Sequence, residues 1–456
     1  MRPMPITDAM FLLAEVREKP MHVGGLQLWD PPEDAGPHFA GNLYREVIEA
    51  RDVAPLFQRR ARKSLGGLGP WEWTVDEDLE LEHHVRHGAL PHPGRIRELL
   101  ALVSRLHSTL LDRNRPLWEM NLIEGLHDGR FASYSKVHHA LLDGVSAMRW
   151  FGRATSTDPD ERDMPAPFGL RGARRPKPSR STAERLGDLG RGVVGGGRAA
   201  GEVTVTAARA ILKAVDDQAA ALPFQAPRTM LNVPIAGARR FAGQSWPLER
   251  ITAVKTATGA SVNDVVLAMS AGALRRYLLD QDALPAEPLV AAVPVSLRDA
   301  GDTDTGNAVG AVLCNLGTHL EDPVDRLELI HRSMQDTKAQ LAGLSPLGIL
   351  ALSALAFGGI ALGPLFRYPV LRQPAFNLVI SNVPGPAEPR YWNGARLDGM
   401  YPVSIPYDGQ ALNLTVTSYA GNVAFGITGC RRSVPHLQRL LDHLEASLTE
   451  LEDAVG

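Results

Sequence analysis

The chain has 456 residues, 44% of them apolar and 22% charged, with a net charge of −3. That is the make-up of a folded globular protein and excludes a generally disordered one. The near-neutral balance gives no electrostatic reason to expect a nucleic-acid partner. Its two cysteines, Cys314 and Cys430, cannot staple a chain of this length. They suit a reducing, cytoplasmic compartment and read as small buried residues. At roughly 100 to 200 residues per domain, the length predicts two large domains.

The apolar cluster 10–14 is followed by Glu15, Arg17, Glu18 and Lys19, which makes it too short and too charged for a signal peptide. Residues 21–29 alternate apolar and polar positions around Gly24 and Gly25, the pattern of a strand with a close backbone approach. A helix is predicted over 39–50 and a half-buried strand around Trp71, Trp73 and Val75. The histidine-rich stretch 81–87 has glycine, not a carboxylate, four residues after its second histidine, so it reads as surface or structural. Residues 95–111 carry apolar side chains at helical spacing. The runs 116–126 and 131–139 flank Asp128-Gly129, a hairpin signal. Val145, Met148 and Phe151 then indicate a helix after Gly144.

Residues 164–200 are rich in Pro, Gly and Arg, which predicts an interdomain linker over 156–222, partly flexible and basic. Its arginines read as a solvated crossover, the alternative being contact with anionic lipid or phosphate. The expected domains are therefore 1–155 and 223–456. In the second, strands are predicted at 244–248, 289–294, 307–316, 377–381, 412–418 and 423–429. Helices are predicted at 249–258, 265–279 and 435–451. Residues 341–366 hold no charged side chain, but Ser345-Pro346, Gly358-Gly359 and Gly363-Pro364 argue against a membrane span. A buried or lipid-facing helix is expected there. The fold class is α/β, two domains each with a mixed sheet packed with helices.

One stretch, 131–144 (FASYSKVHHALLDG), has residues at a spacing that chemistry could use. If His138 and His139 continue a strand, they point to opposite faces and only one enters a given site. That disfavours a metal centre, and no HExxH or paired-Cys motif supplies more ligands. Two readings remain open from spacing alone. His139 is a neutral general base with Asp143 as a supporting carboxylate, or Asp143 caps the next helix and His139 is a satisfied polar group.

His138-His139-Ala140-Leu141-Leu142-Asp143-Gly144 resembles the HHxxxDG motif of the CoA-dependent acyltransferase superfamily. Within it, the chain is similar to the bacterial wax ester synthase/acyl-CoA:diacylglycerol acyltransferase family. Met21-His22-Val23-Gly24-Gly25, Pro116-Leu117-Trp118, Asn263-Asp264-Val265-Val266 and Val383-Pro384-Gly385-Pro386 match family stretches in the expected order, over nearly the whole length. The resemblance implies a two-domain fold with an active-site tunnel between the domains, where long-chain acyl-CoA meets a fatty alcohol or diacylglycerol. It implies that His139 is the base, that His138 faces away, and that Asp143 is structural and paired with an arginine, for which Arg298 is the candidate. It also implies that Asn263 assists at the reacting carbonyl; capping the 265–279 helix is its alternative role.

On that reading His139 takes the hydroxyl proton during attack on the thioester, a donor such as Asn263 stabilises the oxyanion, and the imidazolium protonates the departing thiolate. No acyl-enzyme is expected, because the chain has neither a G-x-S-x-G elbow nor an activated cysteine motif. No cofactor or metal is expected; acyl-CoA is a substrate. Peripheral association with membrane or lipid inclusions is expected of an enzyme with such substrates. The rival functions are a condensation-type enzyme using carrier-tethered acyl groups and a non-catalytic lipid-binding protein.

Overall fold

In a computed structural model of the chain, residues 2–64, 69–169, 226–296, 309–342 and 373–456 are described. Two six-stranded mixed sheets dominate them. The first runs β12 (Tyr391–Trp392), β13 (Ala395–Val403), β2 (His22–Asp30), β7 (Phe131–His138), β6 (Trp118–Glu124) and β5 (Val85–Ala89). All its pairs are antiparallel except β5 with β6. The second runs β10 (Val309–Asn315), β9 (Val290–Ser296), β11 (Leu378–Val383), β14 (Leu412–Tyr419), β15 (Asn422–Cys430) and β8 (Arg239–Pro247). There β11 lies parallel to both β9 and β14. A small sheet joins β1 (Arg2–Pro3), β4 (Trp71–Val75) and β3 (Arg59–Lys63).

Side-chain alternation along β7 explains how the first sheet is covered. Phe131 and Val137 pack with Leu12 of helix α1 (Ile6–Ala14) and Leu43 and Val47 of α2 (Phe39–Ile48). Ala132 and Tyr134, of opposite parity, pack with Leu99 and Val103 of α4 (Ile96–Ser108). A four-residue helix, α3 (Leu81–His84), leads into β5. The glycines of β2 permit close approach as expected, since a Cβ at Gly24 would lie 2.8 Å from the Ser135 carbonyl oxygen. The Asp128-Gly129 hairpin forms, with Gly129 at φ +84°.

In the second half, α6 (Leu248–Thr258), α7 (Val262–Leu279), α8 (Pro323–Ala342) and α9 (Arg439–Val455) accompany the second sheet, and α7 is its central buried helix. Val265, Leu267, Leu274, Leu444 and Leu448 pack with Leu414, Val416 and Phe425. Helix α7 begins three residues before the predicted start. Ser261 caps it, its hydroxyl accepting from the Asp264 N–H at 3.2 Å while the Asp264 carboxylate accepts from the Ser261 N–H at 2.9 Å.

The halves are interleaved. Strand β13, late in the sequence, inserts beside β2 in the first sheet, while Pro402 and Tyr401 press on Gly426 of β15 and Gly243 of β8. Edge strand β8 would otherwise leave buried donors unpaired. Ser104 and Ser108 of α4 accept from the Phe241 and Arg239 N–H groups at 2.9 and 2.8 Å. Both cysteines are buried and free. Most of the predicted 156–222 linker and of the 341–366 segment lies outside the described residues, as does Arg298.

Candidate active site

Strand β7 ends at His138, opposite His22 of β2. The main chain then turns sharply, with the His138 carbonyl accepting from the Leu141 and Leu142 N–H groups at 2.8 and 3.3 Å. Ala140, Leu141 and Leu142 are anchored in the core, which fixes the turn on both sides.

The two histidines take separate partners. His138 is fully buried, and its Nδ1 accepts from the Ala140 N–H at 3.1 Å, leaving Nε2 as the proton-bearing atom. That Nε2 lies 3.5 Å from Glu15 Oε1. Buried Glu15 also accepts from the Met21 N–H at 3.0 Å and from Arg113 Nε at 3.1 Å. Desolvation opposes its ionisation, but His138, the Met21 N–H and Arg113 together hold the carboxyl below the usual range.

His139 sits one residue past the strand, although its N–H still bonds the Met21 carbonyl at 2.8 Å as a strand residue would. It has the parity of Phe131 and Val137, and its ring stacks on Phe11 of α1 at a centroid distance of 4.2 Å and an interplanar angle of 18°. Its Nδ1 is buried with no hydrogen-bond partner of good geometry; its own main-chain carbonyl gives only a weak pull toward the protonated ring. Burial lowers the pKa to about 4; Asp143 pulls it upward and His138 pushes it further down. At neutral pH the imidazole is therefore uncharged.

Asp143 is the N-cap of α5 (Gly144–Ala154), with Oδ1 accepting from the Ser146 N–H at 2.6 Å. The helix-capping role and the electrostatic support of His139 thus coexist in one side chain. Gly144 is the first helical residue, and a Cβ there would lie 3.6 Å from Val383 Cγ2 at the end of β11. This approach connects the turn to the second sheet. Beside Val383, Asn382 donates from Nδ2 to Asn263 Oδ1 at 3.4 Å. Asn263 is half-buried in the first turn of α7, where N–H groups and the positive end of the helix gather. It is not the cap, since Ser261 fills that place. A contact path Gly144, Val383, Asn382, Asn263 thereby links both predicted parts of the site.

In the second histidine cluster, His84 has a structural place: it is buried, stacks on Trp118 at 4.5 Å and shares a 2.8 Å hydrogen bond with its carbonyl. Phe11, Glu15, Arg113 and Asn382 were not singled out from the sequence. The available signal was an apolar residue and an acid four apart in 10–19, the spacing of one helix face.

The wax ester synthase/diacylglycerol acyltransferase catalytic domain matches residues 4–266, and the C-terminal domain of the same family matches 305–452. The chain belongs to the wax ester synthase/diacylglycerol acyltransferase family. It is an enzyme, an acyl-CoA-dependent acyltransferase. A putative diacylglycerol O-acyltransferase of Mycobacterium tuberculosis is 53% identical over 98% of this chain and 99% of its own. A second from that organism, a probable diacylglycerol O-acyltransferase, is 50% identical over 98% of each. Among solved structures, the wax ester synthase/diacylglycerol acyltransferase of Marinobacter aquaeolei superposes with a TM-score of 0.79 at 45% identity, covering both chains fully. The first condensation domain of the calcium-dependent antibiotic synthetase, 18% identical with a TM-score of 0.63, shares the fold over 100% of this chain and 96% of its own.

Proposed function

We propose that the enzyme moves a long-chain acyl group from acyl-CoA directly to the hydroxyl of a fatty alcohol or diacylglycerol, with His139 as general base and Asn263 beside the developing oxyanion. The observation that carries this is the state of His139: a desolvated imidazole, uncharged at neutral pH, held by Phe11 and the Met21 carbonyl next to Asp143. As the alcohol oxygen attacks the thioester carbonyl, its proton passes to His139. Asp143 steadies the imidazolium, which is then far more acidic than a thiol of ordinary pKa about 8.5 and gives its proton to the CoA sulfur. Asn263 and its partner Asn382 supply amide groups at the end of α7 where negative charge is favoured.

The chain is read as domains 1–155 and 223–456 joined by 156–222, with β12 and β13 lent to the first sheet and the substrate tunnel running between the domains. Peripheral contact of a cytoplasmic enzyme with a lipid surface is supported by Met10 and Leu13 on α1 and by Val16 just beyond it, which are 43%, 63% and 41% exposed. Among the described residues no helix is long and apolar enough to cross a membrane.

The test is CoA release from palmitoyl-CoA by the purified protein, with hexadecanol, diacylglycerol or neither. Release that needs one of the two acceptors, with no acyl adduct on the protein by intact mass, is expected. Release indifferent to acceptor, or a stoichiometric acyl-protein, would contradict direct transfer.

A further inference from the structure

We propose that helix α1 is the positioning element of the base, with Phe11 and Glu15 holding the His138-His139 pair in its reactive geometry. The proposal rests on the reading of His139 as general base.

Phe11 lies in the last turn of α1, and Glu15, four residues on, caps that helix with its N–H on the Phe11 carbonyl at 3.1 Å, so the two stand one turn apart. Phe11 covers one face of the His139 ring in near-parallel contact at 4.2 Å. Glu15 acts on the main chain around it. Its Oε1 receives the Met21 N–H at 3.0 Å, and the Met21 carbonyl receives the His139 N–H at 2.8 Å, so the carboxylate reaches the base through a single residue. The same oxygen lies 3.5 Å from His138 Nε2. Arg113 completes the clamp, donating from Nε to Glu15 Oε2 at 3.1 Å and from Nη2 to the Leu12 and Glu15 carbonyls at 2.9 and 3.1 Å. That ties the C-terminal turn of α1 to the segment between α4 and β6.

The arrangement does two things for the reaction. A ring stacked on one face, on a residue whose main-chain N–H is bonded, presents its nitrogens along its open edge, which narrows the approach of an acceptor hydroxyl. The aromatic cover also keeps water from the imidazole, the main reason the ring stays uncharged. The groups facing His139 are Asp143, which favours the charged ring, and His138, which opposes it; Glu15 faces His138, and Arg113 faces Glu15. None of these four is altered when Phe11 is replaced.

Phe11→Ala therefore carries a signature that loss of packing alone does not. The acid limb of the kcat/KM profile should move up toward the ordinary histidine range by about one pH unit or more as water reaches the ring. The kcat should fall about tenfold with KM for acyl-CoA within twofold, as misplacement of a base predicts. Phe11→Tyr keeps the stacked ring and should restore both. Should Phe11→Ala not fold, Glu15→Gln is the second variant: it retains an oxygen for the Met21 N–H but drops the charge beside His138, and should lower kcat about tenfold without changing KM. An unmoved acid limb in Phe11→Ala, or a Tyr variant as impaired as the Ala one at equal stability, overturns the clamp; so does a fully active Glu15→Gln. His139→Ala run in parallel separates the two readings: if it stays active the base itself is wrong, whereas an inactive His139→Ala with an unmoved Phe11→Ala profile removes only the clamp.

Discussion

Replacing Asp143 by asparagine and by alanine separates the two roles of its carboxylate. As N-cap of α5 it accepts from the Ser146 N–H at 2.6 Å, and losing such an acceptor costs about 0.5–2 kcal/mol. Asparagine caps as well as aspartate, so Asp143→Asn should keep the urea midpoint close to wild type. What it loses is the negative charge that favours the protonated His139. A nearby opposite charge shifts a pKa by about one to three units, and since burial still holds this ring at about 4, the lower end applies. One unit corresponds to a tenfold weaker imidazolium. The expected outcome is an about tenfold fall in kcat for Asp143→Asn at wild-type stability, and the same or a larger fall for Asp143→Ala with about 1 kcal/mol less stability. Rates come from initial CoA release at pH 8, stability from urea unfolding. Equal destabilisation of both variants, or an asparagine variant at the wild-type rate, would refute this division.

Three further outcomes follow from the same geometry. Burial holds His22, His84, His107 and His139 below the ordinary histidine value, His107 at about 3 and His139 at about 4. Below pH about 6.5 the unfolded chain therefore binds protons first, so stability is full above that pH and is lost below it, by about 1.4 kcal/mol per unit toward pH 4 for each of His107 and His139. A urea midpoint that stays level from pH 7 to 5 would count against it. At Gly385 a Cβ would overlap the Ser418 carbonyl and crowd Thr417 Oγ1, so Gly385→Ala should lose about 1–3 kcal/mol in urea unfolding; an unchanged midpoint would disprove the close approach. Leu13, 63% exposed on α1, should matter for lipid and not for folding: Leu13→Glu should cut co-sedimentation with anionic vesicles about tenfold at an unchanged melting temperature, and equal sedimentation would remove this contact from the account.

What could be read from the residues was local. The Asp128-Gly129 hairpin, the alternation of β7 and the apolar spacing of α4 each arise from neighbours in sequence, and each appears where that spacing puts it. The nearness of His139 and Asp143, four residues apart across the turn, was legible for the same reason. The insertion of β13 next to β2 was not, because pairing between residues 24 and 403 leaves no local pattern. The start of α7 was legible but placed late: Ser261 and Asp264 at a three-residue spacing announce the cap, and Asn263 follows as an in-helix residue. Phe11 and Glu15 looked like an apolar cluster and a stray charge until the fold brought α1 onto the histidine turn.

The proposed transfer turns on His139 being the base, and substitution by alanine is the most direct measurement of it. General-base help is worth roughly 10² to 10⁴ in rate, so His139→Ala should lower CoA release from palmitoyl-CoA in the presence of acceptor by about a hundredfold or more at an unchanged urea midpoint. A folded His139→Ala enzyme retaining more than about a tenth of the wild-type rate would contradict it.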